Sequence, residues 1–491
     1  MKTSFPRHLL VSALLLACPF AGRAASYEVD VANTNGGTKT WNWSDPATWK
    51  GTPGGYPSST EDEVLFPSYS ASTALYLDLP TASIGAIRVT TGTGGTQPSR
   101  IRAASGTSAL TIGTLEKTGA SILTIDNGTT GGSLAVTVGD LIIGSGSTIE
   151  VGRDISGSLA AFTVTGTSTI DGNFYLDGIA GQAAGQNRAK LGAVELNGIM
   201  LTGGRGNPNG VIEVASLSGG GTVALTNATL KVSPTGGTLE INSANLSPAA
   251  FSGNISEGVA DEGYVFSVVK KGAGVQIFSR SGGVTYTGGT IIEGGVLAVT
   301  NSSGSGLGYG TAEVRSGGTL AGSGIIRLTS GGQKTIVRAG GVIAPSAHLA
   351  SGLSTLTFNG QAQGSSGILS LEEGASFRFR LGAEDTSDSI AFINYKANGL
   401  SLPSGGISIS FENIQEGTFA LMSFDSIQDA ELEAISRSLL FNVSGFDGIF
   451  SHDTSTVFVK ITAASVPEPG AAALLLIGLT AGIGKLATRK R

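Results

Sequence analysis

The octets Thr290-Ile291-Ile292-Glu293-Gly294-Gly295-Val296-Leu297, Glu313-Val314-Arg315-Ser316-Gly317-Gly318-Thr319-Leu320 and Ile336-Val337-Arg338-Ala339-Gly340-Gly341-Val342-Ile343 are one unit written three times. Their glycine pairs begin at Gly294, Gly317 and Gly340, a constant step of twenty-three positions. Ile291, Val314 and Val337 stand at the third place before each pair, and Leu297, Leu320 and Ile343 at the third from its first glycine. Apolar residues at a fixed interval, with Ile292, Arg315 and Arg338 in the slots read as outward, predict short strands stacked rung upon rung. Glycine pairs suit the tight corners between such strands, because only glycine enters the φ > 0 region without steric cost. The columns resume at Leu371 and Phe377, which lie equally far beyond Val337 and Ile343 and eleven positions later than the constant step would put them. One rung therefore carries an insertion of that length, expected as an excursion around Ser346 to Ser354.

Composition agrees with turns and strands. Glycine contributes 76 of 491 residues and charged residues only 13%, while the glycines lack the three-residue period of collagen. A chain of this length fits one continuous solenoid as readily as several domains. The single cysteine, Cys18, lies in the apolar start, so a chain beginning near Ala25 holds no disulfide. Residues 1–24 carry Lys2, Arg7 and Arg23, and residues 467–491 carry Lys485, Arg489, Lys490, Arg491 and Glu468. Without them, 23 basic and 35 acidic residues remain, a net charge of −12. That excess argues against nucleic acid or anionic lipid as partner.

Both ends read as addresses. Met1 to Ala24 has a basic start, an apolar run from Leu9 to Ala17, and Gly22 and Ala24 before a cut at Ala24/Ala25, the order of a secretory signal peptide. Leu15-Leu16-Ala17-Cys18 also resembles a lipoprotein cleavage box, which implies the alternative of a lipid-anchored envelope protein. At the other end, Val466-Pro467-Glu468-Pro469-Gly470 precedes an apolar run from Ala471 to Gly484 and the basic Arg489-Lys490-Arg491. This segment resembles the PEP-CTERM sorting signal of Gram-negative bacteria. The resemblance implies recognition by an exosortase-type membrane protease and cleavage near Pro467, Glu468 and Pro469. It also implies export to the surface or the exopolysaccharide matrix, with the membrane touched only through the precursor's terminal segments.

Between the addresses, residues 25–100 hold all three tryptophans, Trp41, Trp43 and Trp49, in the run from Trp41 to Trp49. They suit an aromatic cap over the first rung, and they are candidate glycan contacts. The run resembles the opening segment of bacterial surface proteins with such repeats and sorting tails. Residues 101–425 are expected to form the coil, with the best register in 282–381; between 101 and 239 the spacing is irregular, with Leu134 to Val138, Leu141 to Ile143 and Thr229 to Val232 among the expected short strands and Gly178 to Gly192 as an expected surface loop. In 426–466, the stretch Ile427 to Leu440 predicts a helix with Ile427, Ala430, Ala434 and Leu439 along one face, followed by closing strands.

The segment Tyr286 to Leu297, with Ser316 to Leu320 and Gly340 to Pro345, resembles the autotransporter-associated β-strand repeat. That resemblance implies an all-β, right-handed parallel β-helix, here expected with N- and C-terminal caps.

Chemistry is sparse. Glu372-Glu373, and Glu384-Asp385 with Asp388, are the candidate carboxylate pairs of a polysaccharide-active enzyme. Glu372 and Glu373 adjoin on a strand-like run and are expected on opposite faces, and the second set is expected in a solvated turn. Outside the leader the histidines are His348 and His452, far apart and without a cysteine, so no metal or cofactor is expected. Gly113 to Gly119 lacks a phosphate-binding Lys-Ser pair. The expectation is an exported structural or adhesive protein of the cell surface or exopolysaccharide matrix, without catalytic activity.

Overall fold

In the rung that follows each glycine pair, strands lie directly on their predecessors: Leu297 pairs with Leu320, Leu320 with Ile343, and Ile343 with Phe377, all in parallel. The computed structural model describes residues 25–30, 40–50, 55–67, 73–90, 99–127, 133–152, 161–177, 188–202, 210–225, 238–242, 248–257, 265–328, 333–347, 352–360 and 367–464. The leader with Cys18 and Ala24, the tail with Pro467, Glu468 and Pro469, His348, and the expected strand Thr229 to Val232 lie outside them.

The described chain is nearly all strand, with one α-helix, Asp429–Arg437, and one short 3-10 turn, Pro46–Thr48. The first sheet runs the length of the body, from Ser26–Val29 to Leu400–Ser401, by parallel pairing apart from the antiparallel Trp49–Lys50. A second sheet, Thr40–Asn42 to Asn254–Ser256, accompanies its first half. A third, Ala249–Phe251 to Leu439–Phe441, accompanies its second half, and a fourth begins at Ile325–Arg327. The handover falls in one rung, where Ala249–Phe251 opens the third sheet and Asn254–Ser256 closes the second. Coaxial parallel sheets of this kind make a β-helix-like stack. Its inward apolar columns merge into a main core that runs from Val29 to Ile461, apart from a small cluster around Val296, Ala298, Ala321 and Ala344.

The irregular stretch 101–239 keeps the same stacking. Leu134 sits on Ser108, Phe162 on Val136, Ala189 on Phe162 and Ile212 on Ala189, so the rungs stack although their lengths differ. Leu134 to Val138 and Leu141 to Ile143 are not two strands but one, Ser133–Ile143. Its bend is at Gly139, which lies over Gly113 as Gly113 lies over Gly85. A Cβ on Gly113 or Gly139 would overlap the carbonyl oxygen of the glycine beneath, so close backbone approach selects glycine here.

Three local expectations need correction. Ile292, not Ile291, belongs to the inward column, since Ile292 pairs with Val314 and Val314 with Val337. The corner at Glu293-Gly294 is one residue shorter than the corner at Arg315-Ser316-Gly317, so alignment on the glycine pairs slips by one. The helix buries Leu432 and Ile435, while Ala430 and Ala434 are not buried; Leu439 belongs to the following strand. Gly178 to Gly192, expected as a loop, already contains the start of Arg188–Leu196.

The insertion falls as expected. Leu320 pairs with Ile343 at the step set by the glycine pairs. Val337 pairs with Leu371, eleven positions beyond that step, and Ile326 with Phe358, nine positions beyond it. Most of the insertion therefore enters between Ile343 and Phe358.

Candidate functional site

The tryptophans come together at the beginning of the coil. Trp41 lies on the strand Thr40–Asn42 and pairs with Leu75; Trp43 follows in the turn, and Trp49 opens Trp49–Lys50. Trp43 and Trp49 meet edge to face with centroids 5.4 Å apart, and Tyr27 meets Trp49 in the same way at 6.0 Å. The Trp43 indole donates to the Pro57 carbonyl at 2.9 Å and the Trp49 indole to the Trp43 carbonyl at 2.9 Å. All three are at most 5% exposed, so no indole face among them is open for a sugar ring to stack on. Spacing showed that these residues cluster. Whether they face water depended on Ser26–Val29, Pro57 and the strand Thr73–Leu77, which the spacing does not reveal.

The carboxylates do not converge. Glu372 and Glu373 sit in the corner after Leu369–Leu371, not on the strand, and Glu373 is exposed. Glu372 accepts from Arg338, whose Nε donates to Glu313 at 2.7 Å; Arg315 bonds Glu313 at 3.2 Å and Glu293 at 2.7 Å. These five residues form a ladder up the outside of four rungs. Its two arginines hold Glu313 below the usual carboxylate range by hydrogen bonds, Arg315 foremost. A second ladder joins Glu63, Arg88 and Glu116 near the start of the coil.

Glu384 and Asp385 take left-handed backbone angles in an exposed turn, where Asp385 accepts from the Thr418 amide at 3.1 Å. Asp388 contradicts the solvated reading. It is 1% exposed and accepts from the Ser346 hydroxyl, the Ser354 amide at 2.9 Å and the Arg380 amide at 2.9 Å. Its carboxylate ties both ends of the inserted stretch to the rung and has no room for substrate. An open groove of about 460 Å³ beside Lys334, Ser370, Asn398 and Leu402 contains none of the predicted carboxylates. Among the described residues no cluster of His, Cys, Asp and Glu suits a metal ion.

Two fully buried lysines escaped sequence reasoning. Lys117 donates to the carbonyls of Thr118 and Gly119 at 2.6 and 3.0 Å, and Lys270 to those of Lys271, Gly272 and Gly294 at 2.6, 2.9 and 3.0 Å. Desolvation lowers each ammonium to about 8. The available signal was their register: each takes the place of an Ile or Val in an inward column and precedes a glycine corner.

Stacked parallel strands, one extended core and surface charges paired along ladders define an all-β protein of β-helix-like build. A family model described as passenger-associated-transport-repeat matches residues 268–299, placing an autotransporter-associated repeat there. The match takes in Val275–Phe278, Thr290–Ile292 and Gly295–Val299, while the copies at Gly317-Gly318 and Gly340-Gly341 lie beyond it. No curated protein matches the chain. Among the described residues no helix is long and apolar enough to cross a membrane.

Proposed function

We propose that this chain is an exported structural or adhesive β-helix of the cell surface or exopolysaccharide matrix, right-handed and non-catalytic. The coil would be closed at one end by the tryptophan cluster and at the other by the helix and closing strands. The observation that carries the reading is the use to which the charged side chains are put. Glu293, Arg315, Glu313, Arg338 and Glu372 neutralise one another along the outside of the rungs, and Asp388 is committed to holding a loop. Polar surface arranged to stiffen a rod serves display better than chemistry. A passenger-associated repeat at residues 268–299 supports export of the body. The terminal motifs supply the route: a cut at Ala24/Ala25 and recognition of Pro467-Glu468-Pro469 by an exosortase-type protease.

Mass spectrometry of the protein from its native host, with surface labelling of intact cells, tests this. The expected result is an N-terminus at Ala25, a C-terminus near Pro467 and a labelled body. A lipidated Cys18, or an unprocessed chain inaccessible to the label, would overturn it. Matrix polysaccharide binding is expected to depend on exposed loops. Replacing Trp41 or Trp43 should lower the melting temperature and leave the affinity of the folded fraction unchanged.

A further inference from the structure

The strand Phe446–His452 ends the fourth sheet, pairing antiparallel with Thr456–Ala463 and with no other strand among the described residues. Two bonds fix the phase of that pairing: the Ala464 amide to the Gly445 carbonyl, and the Asp453 amide to the Thr456 carbonyl at 3.0 Å each. Asp447, Ile449 and Ser451 therefore point their backbone groups at the neighbour, and Phe446, Gly448, Phe450 and His452 point theirs at the open edge. Natural edges are usually blunted by proline, lysine or a bulge. This one has no proline or lysine, and its pairing runs from Phe446 to His452 without a register shift. At its midpoint stands Ile449, 69% exposed, the most exposed large hydrophobic side chain among the described residues.

We propose that this edge is a self-association surface, pairing antiparallel with the same strand of a second copy about a two-fold axis through Ile449. In that register the two Ile449 side chains meet as a non-hydrogen-bonded pair, the geometry in which side chains approach most closely. Gly448 lies opposite Phe450 of the second copy and Phe446 opposite His452, and these four residues are the ones whose backbone groups are free. The one carboxylate of the strand, Asp447, lies opposite Ser451, so no like charges meet. Neighbouring in-phase registers are poorer. An axis through Gly448 sets Ile449 against Asp447, and one through Phe450 sets Asp447 against Asp453. Two six-stranded sheets then become one, and two coils join end to end at their C-terminal rungs.

Sedimentation velocity of the full chain in a Cys18→Ser background tests the proposal. A concentration-dependent dimer is expected. Ile449→Asp, which sets two carboxylates face to face, should raise its dissociation constant at least about tenfold with unchanged circular dichroism and melting. The register has its own readout under mild oxidation by oxidised glutathione. Ile449→Cys should cross-link to itself, whereas Asp447→Cys and Ser451→Cys should cross-link when mixed and not separately. A wild-type chain that stays monomeric, a dimer indifferent to Ile449→Asp, or a dimer that fails this cross-linking pattern overturns the proposal. Terminal processing, on which the proposed function stands, is read independently of all three.

Discussion

Lys270 occupies a place in the inward column that Ile241 holds in the rung before and Ile292 in the rung after, and Lys117 stands likewise between Val89 and Ile143. Each reaches from the lumen to corner carbonyls that a strand ladder leaves unpaired, so a buried charge takes over the work of missing backbone donors. Removing the ammonium orphans those carbonyls: Lys270→Ala is expected to cost on the order of 2–4 kcal/mol. Burial also gives a sign for pH. An unfolded lysine keeps its proton to roughly 10.4, while the folded Lys270 releases it near 8. Between these values the unfolded state binds more protons, so the lysine's contribution makes stability rise with pH. Wild-type melting temperature minus that of Lys270→Met should increase from pH 8 to pH 10, and a flat difference would refute the assignment.

His452 carries the opposite sign. Its Nδ1 faces the Asp453 carbonyl and its Nε2 the Glu433 carboxylate, each at 2.9 Å. Two acceptors require two donors, which only the imidazolium offers. The Asp453 carbonyl foremost, then Glu433 and Asp429, raise its pKa, while Arg437 shares the Glu433 carboxylate. Its stabilising contribution is complete below the unfolded value of about 6.5 and is lost as pH rises through the folded one. Hydrogen exchange in Asp429–Arg437 should therefore quicken, beyond its intrinsic pH dependence, as pH rises through the folded value. His452→Gln should remove that extra step.

At the level of elements, corners decide both what folds and what could be read beforehand. Gly139 and Gly113 stack at the bends of long strands with no space for a Cβ, whereas Gly146, at φ +73°, has open space around its Cβ position. Gly139→Ala must displace backbone and is expected to cost about 2–4 kcal/mol, against about 1–2 kcal/mol for the strain in Gly146→Ala. Urea midpoints of the two variants check the order. Paired glycines made the late rungs legible to the extent that Val337 over Leu371 and Ile343 over Phe377 follow from counting alone. The one-residue slip at Ile292 arose because a corner can shorten while its glycines remain. Between 101 and 239 the marker is a single glycine in mid-strand. It is invisible as a period because the rungs differ in length: the step from Phe162 to Ala189 is four positions longer than the step from Ala189 to Ile212. The candidate site was less legible. Burial of Trp41, Trp43 and Asp388 comes from residues outside their own segments, among them Leu75, Pro57 and Ser346, which local patterns do not carry.

Over the whole molecule, each rung contacts chiefly its neighbours, so stability is approximately a sum of rung and interface terms. Such a body should tolerate loss of one complete rung and resist loss of any other length. Thr290 pairs with Ala312, which makes Ile291 to Ala312 one full turn of the coil. Its deletion joins Thr290 to Glu313 and leaves Val314 in the inward place that Ile292 held, above Lys270. The preceding strand Val275–Phe278 then meets Gly318–Gly322 in place of Gly295–Val299, with Leu320 over Gln276 as Leu297 was. Removing one residue more, Ile291 to Glu313, sets Val314 outward and turns Arg315 into the core, because side chains alternate along a strand. The full-turn deletion is expected to melt within about 5 °C of the full chain, and the longer deletion about 10 °C or more below it. Calorimetry on the three chains measures the difference directly. Equal losses for both deletions would show that contacts within a rung, not the register between rungs, hold the coil together.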